Sequence, residues 1–181
     1  ELTGRGHGEL LSGAEAVPPG ADGVLVLPFF AGERTPVPDP RARGVVAGLT
    51  LRRGTAHLYR AVLEGTAFGA RRNLEALGVD DRSRVVAVGG GAGEDLWPQI
   101  VCDVTGLEQV IPAETIGAAY GDALLAAEGV GLATPGTTWA KAAQTLAPDP
   151  AVRERYDSLF DAWLELAHST QGTQHLLARL Q

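Results

Sequence analysis

Gly44-Val45-Val46-Ala47-Gly48-Leu49, seven further residues, then His57-Leu58-Tyr59-Arg60-Ala61-Val62-Leu63-Glu64 is the stretch that decides the fold. It joins a short glycine-flanked strand, predicted over Val45–Leu49, to a long helix. Glycine at both ends of the apolar run permits tight turns and close approach of another chain segment or a ligand. Thr55 is placed to cap a helix that begins before His57, and Gly78 is placed to stop it. Along that helix Leu63, Ala67, Ala70, Leu74 and Leu77 recur at three- and four-residue steps, which predicts one apolar face. Gly65 and Gly69 lie four apart on one side, where a neighbouring element could pack closely.

Toward the N-terminus, Leu10–Ala16 reads as the end of a helix broken by Pro18-Pro19-Gly20. Val24–Leu27 reads as a short buried strand stopped by Pro28. Pro36, Pro38 and Pro40 hold a stiff irregular loop. Toward the C-terminus, the apolar strand Val85–Val88 runs into Gly89-Gly90-Gly91. A helix from about Glu94 to Thr105 follows, with Leu96, Trp97, Ile100, Val101 and Val104 at helical spacing. Pro98 is tolerable only in a first turn, which supports a start near Glu94. Gln109–Ile111 is a further strand, and Ile116–Glu128 a helix rich in small residues and closed by Gly129. Pro135 to Pro150 is less regular, with a short helix predicted around Trp139–Leu146. Val152, Tyr156, Leu159, Phe160, Trp163 and Leu166 form an amphipathic helix, and a last turn or two is expected from Gln174 to Leu180. The alternation of strands and helices predicts an α/β fold with a sheet covered on its faces.

Composition narrows the function. Lys and Arg number 15 against 22 Asp and Glu, a net charge of −7, which argues against nucleic acid or an anionic membrane as the main partner. Arg41, Arg43, Arg52 and Arg53 form a local basic cluster, for which a solvated surface is the simpler reading. The hydrophobic share of 45% is enough for a core in one domain of 181 residues. Cys102 is the single cysteine, so no intrachain disulfide forms, which suits a cytoplasmic location. Its apolar neighbours predict a buried structural thiol. No apolar run approaches the ~18–20 residues needed to span a bilayer, and no signal peptide is seen. The sequence has no methionine and opens on Glu1-Leu2-Thr3-Gly4, which reads as part of a longer protein.

The strand, triglycine and helix around Gly89–Thr105 suggest a nucleotide site. Glycines let a ligand approach the backbone, and a helix N-terminus offers free N–H groups and a positive dipole end. It is not a Walker loop, because no Lys-Ser or Lys-Thr follows, and it lacks the full Gly-x-Gly-x-x-Gly spacing. Taken alone, a simple tight turn explains it better. His7, His168 and His175 are too scattered for a metal site.

Three ordered motifs together carry a more specific signal. Gly44–Glu64 resembles the C-terminal signature of the FGGY carbohydrate kinases, sugar and polyol kinases of the actin-like ATPase superfamily. Leu27-Pro28-Phe29-Phe30-Ala31-Gly32-Glu33-Arg34-Thr35-Pro36, continued by Asp39-Pro40 and Ala42-Arg43-Gly44, resembles the family's Pro-aromatic…Gly-Glu-Arg-Thr-Pro loop in the spelling most typical of its xylulokinase branch. Gly89-Gly90-Gly91-Ala92 with Leu96, Trp97 and Gln99 resembles its adenosine motif. The resemblance covers roughly residues 20 to 131, with a looser helical tail from about 135 to 181. It implies a ribonuclease-H-like C-terminal lobe with a mixed sheet and flanking helices. It also implies ATP as cofactor, with Gly90, Gly91, Ala92 and Asp95 on the adenosine side.

The family's catalytic Asp, sugar pocket and main phosphate-binding turns come largely from sequence upstream of such a segment, and no position here matches them. The resemblance therefore implies no catalytic residue and no metal ligand in this chain. Mg²⁺ would be bound mainly through ATP and a separate N-terminal sugar-binding lobe, and the chain alone would be inactive. His57 matches a signature position that accepts several polar residues, which favours a packing role over a catalytic base. Glu64 is expected to pair with Arg60 or another buried donor, and Glu33 with Arg34 to organise the proline loop. Trp97 is expected to anchor its helix in the core rather than stack on adenine.

Two other readings stand beside this one. The first is a non-catalytic nucleotide-binding or assembly module that presents the Val152–Leu166 helix to a partner, including a second copy in a homodimer. The second is a dinucleotide-binding oxidoreductase, for which Glu114, roughly 20 residues past the glycines, is the nominal ribose-binding acid.

Overall fold

The computed structural model describes residues 4–80, 83, 85–93, 96–114, 117–139 and 141–181. In chain order the elements are α1 (His7–Glu15), β1 (Leu25–Leu27), β2 (Val45–Ala47), α2 (Thr55–Ala76), β3 (Val85–Val86), α3 (Leu96–Thr105), β4 (Gln109–Pro112), α4 (Ala118–Gly129), β5 (Ala142–Leu146) and α5 (Arg153–Ala178). β1 and β2 form an antiparallel pair, with Val26 opposite Val46. β3, β4 and β5 form a mixed sheet in that order, β3 parallel and β5 antiparallel to β4. The expected mixed α/β architecture is therefore present.

α2 is the spine of the molecule. Its N-cap is Gly54 rather than Thr55, which is the first helical residue. No side-chain hydroxyl caps the free N–H groups of the first turn; the helix instead meets the N–H of Gly54 itself, which donates to His57 Nδ1 at 3.4 Å. The other end closes as expected: Gly78 has φ +71°, its N–H reaches the Glu75 carbonyl, and the Val79 N–H reaches that of Leu74. This is a Schellman motif, and a left-handed residue at its centre favours glycine.

The buried face of α2 is rotated from the expected stripe. Arg60, Ala61, Glu64, Gly65, Ala67 and Phe68 are buried, whereas Leu77 is exposed. Gly65 is the residue that permits this packing, because a Cβ there would run into the Val26 carbonyl of β1. Gly69 has no such neighbour, so only one of the two glycines is used for close approach.

The main core gathers Leu27 of β1 and Phe29 just after it, Ala67 and Phe68 of α2, Ile100, Val101 and Val104 of α3, and Tyr156, Phe160 and Trp163 of α5. Trp163 and Tyr156 are fully buried, and the Trp163 Nε1–H donates to the Val26 carbonyl at 2.9 Å. The tail helix thus belongs to the core of its own domain. It is also longer than expected, absorbing the turns anticipated at Gln174–Leu180 into one helix. A second correction concerns Trp139–Leu146, where the structure has β5 in place of a short helix. The backbone there is captured by β4, with Val110 opposite Thr145, a long-range pairing that local patterning does not reveal.

Candidate nucleotide site

β3 delivers the chain to the glycine turn. The Ala87 N–H extends the ladder to the Val110 carbonyl at 3.0 Å, and Gly89, at φ +94°, turns the backbone where most side chains would be strained. Gly90–Gly93 form a single tight helical turn, closed by the Ala92 N–H on the Gly89 carbonyl, and α3 follows from Leu96. Gly90 and Gly91 are exposed on this turn, and a Cβ at Gly90 would meet nothing within 4 Å. At Gly91 a Cβ would lie 2.9 Å from Trp97 Cε3 and 3.0 Å from Cζ3. The indole therefore backs the turn directly.

Gly90, Gly91 and Trp97 share a cleft with Leu63 of α2 and His7 and Leu11 of α1. Its volume is about 240 Å³, below the ~300–1,000 Å³ usual for a whole ligand site. Ala92 is buried, and its N–H is spent on the Gly89 carbonyl within the turn. Asp95 lies outside the described residues, as does Glu94.

Beneath the cleft α2 carries a buried charged cluster. Glu64 Oε1 accepts from Gly20 N–H at 2.8 Å, Arg60 Nε at 2.8 Å and Tyr156 Oη at 3.0 Å. Arg60 also reaches the Tyr156 hydroxyl and the Ala14 carbonyl. Burial pushes the Glu64 carboxyl above the usual range, against the pull of the Gly20 N–H and Arg60. The cluster ties α1, the turn before β1, α2 and α5 to one point. Every group in it is paired, which is the condition for burying charge. Its chemistry is structural, because none of the three side chains lines the cleft.

Residues 5–129 match the family described as "FGGY family of carbohydrate kinases, C-terminal domain". The chain belongs to this family. It is similar to the xylulose kinase of Bacillus subtilis (strain 168), 32% identical over 169 residues that make up 90% of this chain and 34% of the relative. Among solved structures it is similar to the xylulose kinase from Rhodospirillum rubrum, with a TM-score of 0.78 and 32% identity, covering 93% of this chain and 35% of that one. The ligand-bound xylulose kinase from Lactobacillus acidophilus gives a TM-score of 0.85 at 25% identity, covering 94% and 36%. The chain thus spans about a third of the length of the relatives it matches. Membership of the FGGY family sets aside the dinucleotide-binding oxidoreductase and its ribose acid Glu114.

The FGGY motif residues fall into distinct roles. His57 caps its own helix and lies 3.4 Å from Asp22 Oδ2, which Arg53 also engages at 3.1 Å, so its role is in packing. Glu64 pairs with Arg60 as expected. Glu33 organises the proline loop through the backbone N–H groups of Arg34 and Thr35, and the side chain it faces is Arg72, at 3.9 Å, rather than that of Arg34. Gln99 is a strut, donating to Asp103 and to the Ala147 carbonyl. Arg43 is held by the Pro40 and Ala42 carbonyls and by Gln181, and Arg53 by Asp22, so these two members of the basic cluster have separate partners. Cys102 is fully buried, and burial pushes its thiol up to about 11.

Sequence reasoning missed Leu63, His7 and Leu11 as cleft walls and Thr66 as the partner of Trp97. His7 is held by the Tyr59 hydroxyl at 2.7 Å. These residues come from two stretches of sequence, α1 and α2, and only packing brings them to the glycine turn.

Proposed function

We propose that this chain is the ATP-binding lobe of a sugar kinase that transfers the γ-phosphoryl of MgATP to a sugar hydroxyl, with xylulose the favoured sugar. The observation that carries this reading is the open backbone face of Gly90, beside Gly91 and the N-terminal end of α3, at the position of the family's adenosine motif. The space over Gly90 and the adjoining cleft fit the adenosine part of ATP. Gly90, Gly91 and Ala92 would present backbone to it, and Asp95 a polar side chain. Among the described residues no group of three or more His, Cys, Asp or Glu could hold a metal ion. In this reading Mg²⁺ arrives mainly on the phosphates of ATP and on residues of a second lobe.

What these residues contribute is positioning. Phosphoryl transfer depends on holding donor and acceptor in line and on stabilising charge. This chain would fix the nucleotide, while a separate N-terminal lobe would supply the sugar pocket and the base. Lobe closure would then exclude water. The xylulose assignment rests on the spelling Gly32-Glu33-Arg34-Thr35-Pro36 and on relatives that are named xylulose kinases. The same reading puts the protein in the cytoplasm, whereas a homodimer belongs to the assembly-module alternative and would be tested by sedimentation equilibrium. Among the described residues no helix is long and apolar enough to cross a membrane.

Calorimetric titration with ATP tests the site. The chain is expected to bind with about −4 to −6 kcal/mol, a high-micromolar to millimolar affinity. Gly90→Val and Gly91→Val are expected to abolish that binding, and the purified chain is expected to phosphorylate no sugar. Binding that survives both substitutions would move the site away from the glycine turn.

A further inference from the structure

We infer that Thr66 is a positioning residue for the nucleotide cleft, acting through Trp97 on the glycine turn. This inference rests on the nucleotide reading above.

A continuous chain of contacts carries it. The Thr66 hydroxyl donates to the Leu63 carbonyl, one turn back on α2, at 2.7 Å. The same oxygen accepts the Trp97 Nε1–H at 3.2 Å. The far edge of the indole then lies against Gly91, so close that a Cβ could not be accommodated without a shift. Leu63, Gly90, Gly91 and Trp97 are walls of one cleft. The hydroxyl therefore spans the joint between α2 and α3 at the point where both meet the site.

The physical need for such a pin follows from the side chain. The χ2 torsion of tryptophan is broad, so packing alone holds the ring plane loosely. Trp97 is half-buried, with its six-membered ring on the cleft and its N–H directed to α2. Losing the acceptor removes the one bond that sets the ring's orientation from the α2 side, so the ring is free to rotate toward another partner or water. Rotation of the indole either presses on the Gly91 turn or withdraws its support. Both outcomes change the surface offered to adenosine without touching the nucleotide. Threonine does this where valine, with nearly the same shape, could not.

The test is ATP titration of the 181-residue chain as wild type, Thr66→Val, Thr66→Ser and Tyr156→Phe, with thermal unfolding followed in parallel. Thr66→Ser keeps the hydroxyl and is expected to bind within about twofold of wild type. Thr66→Val is expected to bind roughly five- to tenfold more weakly. Tyr156→Phe removes a buried hydroxyl from the core and is expected to lower stability while leaving ATP affinity unchanged, which separates positioning from general loosening. Equal affinity of Thr66→Val and wild type would overturn the inference, as would a Ser variant as weak as the Val variant or an equal loss in Tyr156→Phe. If Thr66→Val does not fold, Thr66→Ala takes its place, and failure of both to fold would make the hydroxyl a determinant of the fold and overturn the inference. Wild-type binding abolished by Gly91→Val but indifferent to Thr66→Val defeats this inference alone. Absence of wild-type binding defeats the nucleotide reading with it.

Discussion

α4 and α5 are both supplied with apolar residues, yet they meet the rest of the molecule differently. α5 sinks Tyr156, Phe160 and Trp163 into the main core, whereas no described residue of α4 is buried and Leu125 is 67% exposed. The difference lies in arrangement. In α5 the three aromatics are spaced by four and three residues, which puts them on one stripe with polar residues elsewhere. In α4 the run Ala118-Ala119-Tyr120…Ala123-Leu124-Leu125-Ala126-Ala127 is apolar nearly all round and mostly small, so no single face is favoured. Tyr120, Gly121 and Leu124 line a groove shared with Val86, Val88 and Trp139, Ala127 and Glu128 are half-buried, and the other residues of α4 are exposed. Within this chain α5 is buried through its directed stripe of large side chains, which concentrates contact area against one neighbour, and α4 has no such stripe.

The strongest way to break this contrast is Trp163→Ala. It empties the centre of the core and leaves the Val26 carbonyl without its partner, so a loss of about 3–5 kcal/mol is expected in denaturant unfolding. Next comes Tyr156→Phe, which takes one donor from Glu64 and one acceptor from Arg60. About 1–3 kcal/mol should be lost, with hydrogen exchange rising in α2 and α5 together. Stability that is unchanged in this variant would mean the buried cluster is not shared between the helices.

A smaller effect is expected where α5 meets the proline loop. Asp39 accepts from His175 and from the Arg41 N–H, and the His175 bond holds its carboxyl below the usual carboxylate range. The folded state therefore takes up this proton less readily than the unfolded chain. The contribution is full above the ordinary carboxylate value near ~3.9 and is lost as pH falls through the lower folded value. His175→Ala should cost about 0.5–1.5 kcal/mol at neutral pH and less in acid, as read from urea midpoints across pH. The smallest effect belongs to α4: Leu125→Gln should change stability by no more than about 0.5 kcal/mol. A larger loss would show that α4 is packed in solution in a way its exposure here does not reveal.

Much of this fold was legible because local chemistry specifies it. Pro98 admits a helix only near its start, Gly78 ends α2 in the left-handed region, and Val85–Val86 run straight into the glycine turn. The errors fall where a distant partner decides. β5 has no strand-like pattern of its own and exists because β4 pairs with it. The buried face of α2 follows β1 and α5, which select Gly65 and Phe68 over Leu74 and Leu77. The long α5 merges two segments that patterning divides, because its middle is held by the core and its end by Gln174, whose Oε1 accepts the Arg43 N–H.

The candidate site divides in the same way. The sequence by itself determined the glycine turn, its place between strand and helix, and the three motifs that mark the FGGY family. Backbone freedom at glycine and the order of motifs are properties of the chain, independent of packing. Only the tertiary structure decided that Ala92 is buried, that Leu63 and α1 wall the cleft, and that Thr66 holds Trp97 against Gly91. Those facts depend on how α2 and α3 cross, and that crossing is set by the summed packing of β1, α2, α3 and α5 rather than by any one segment.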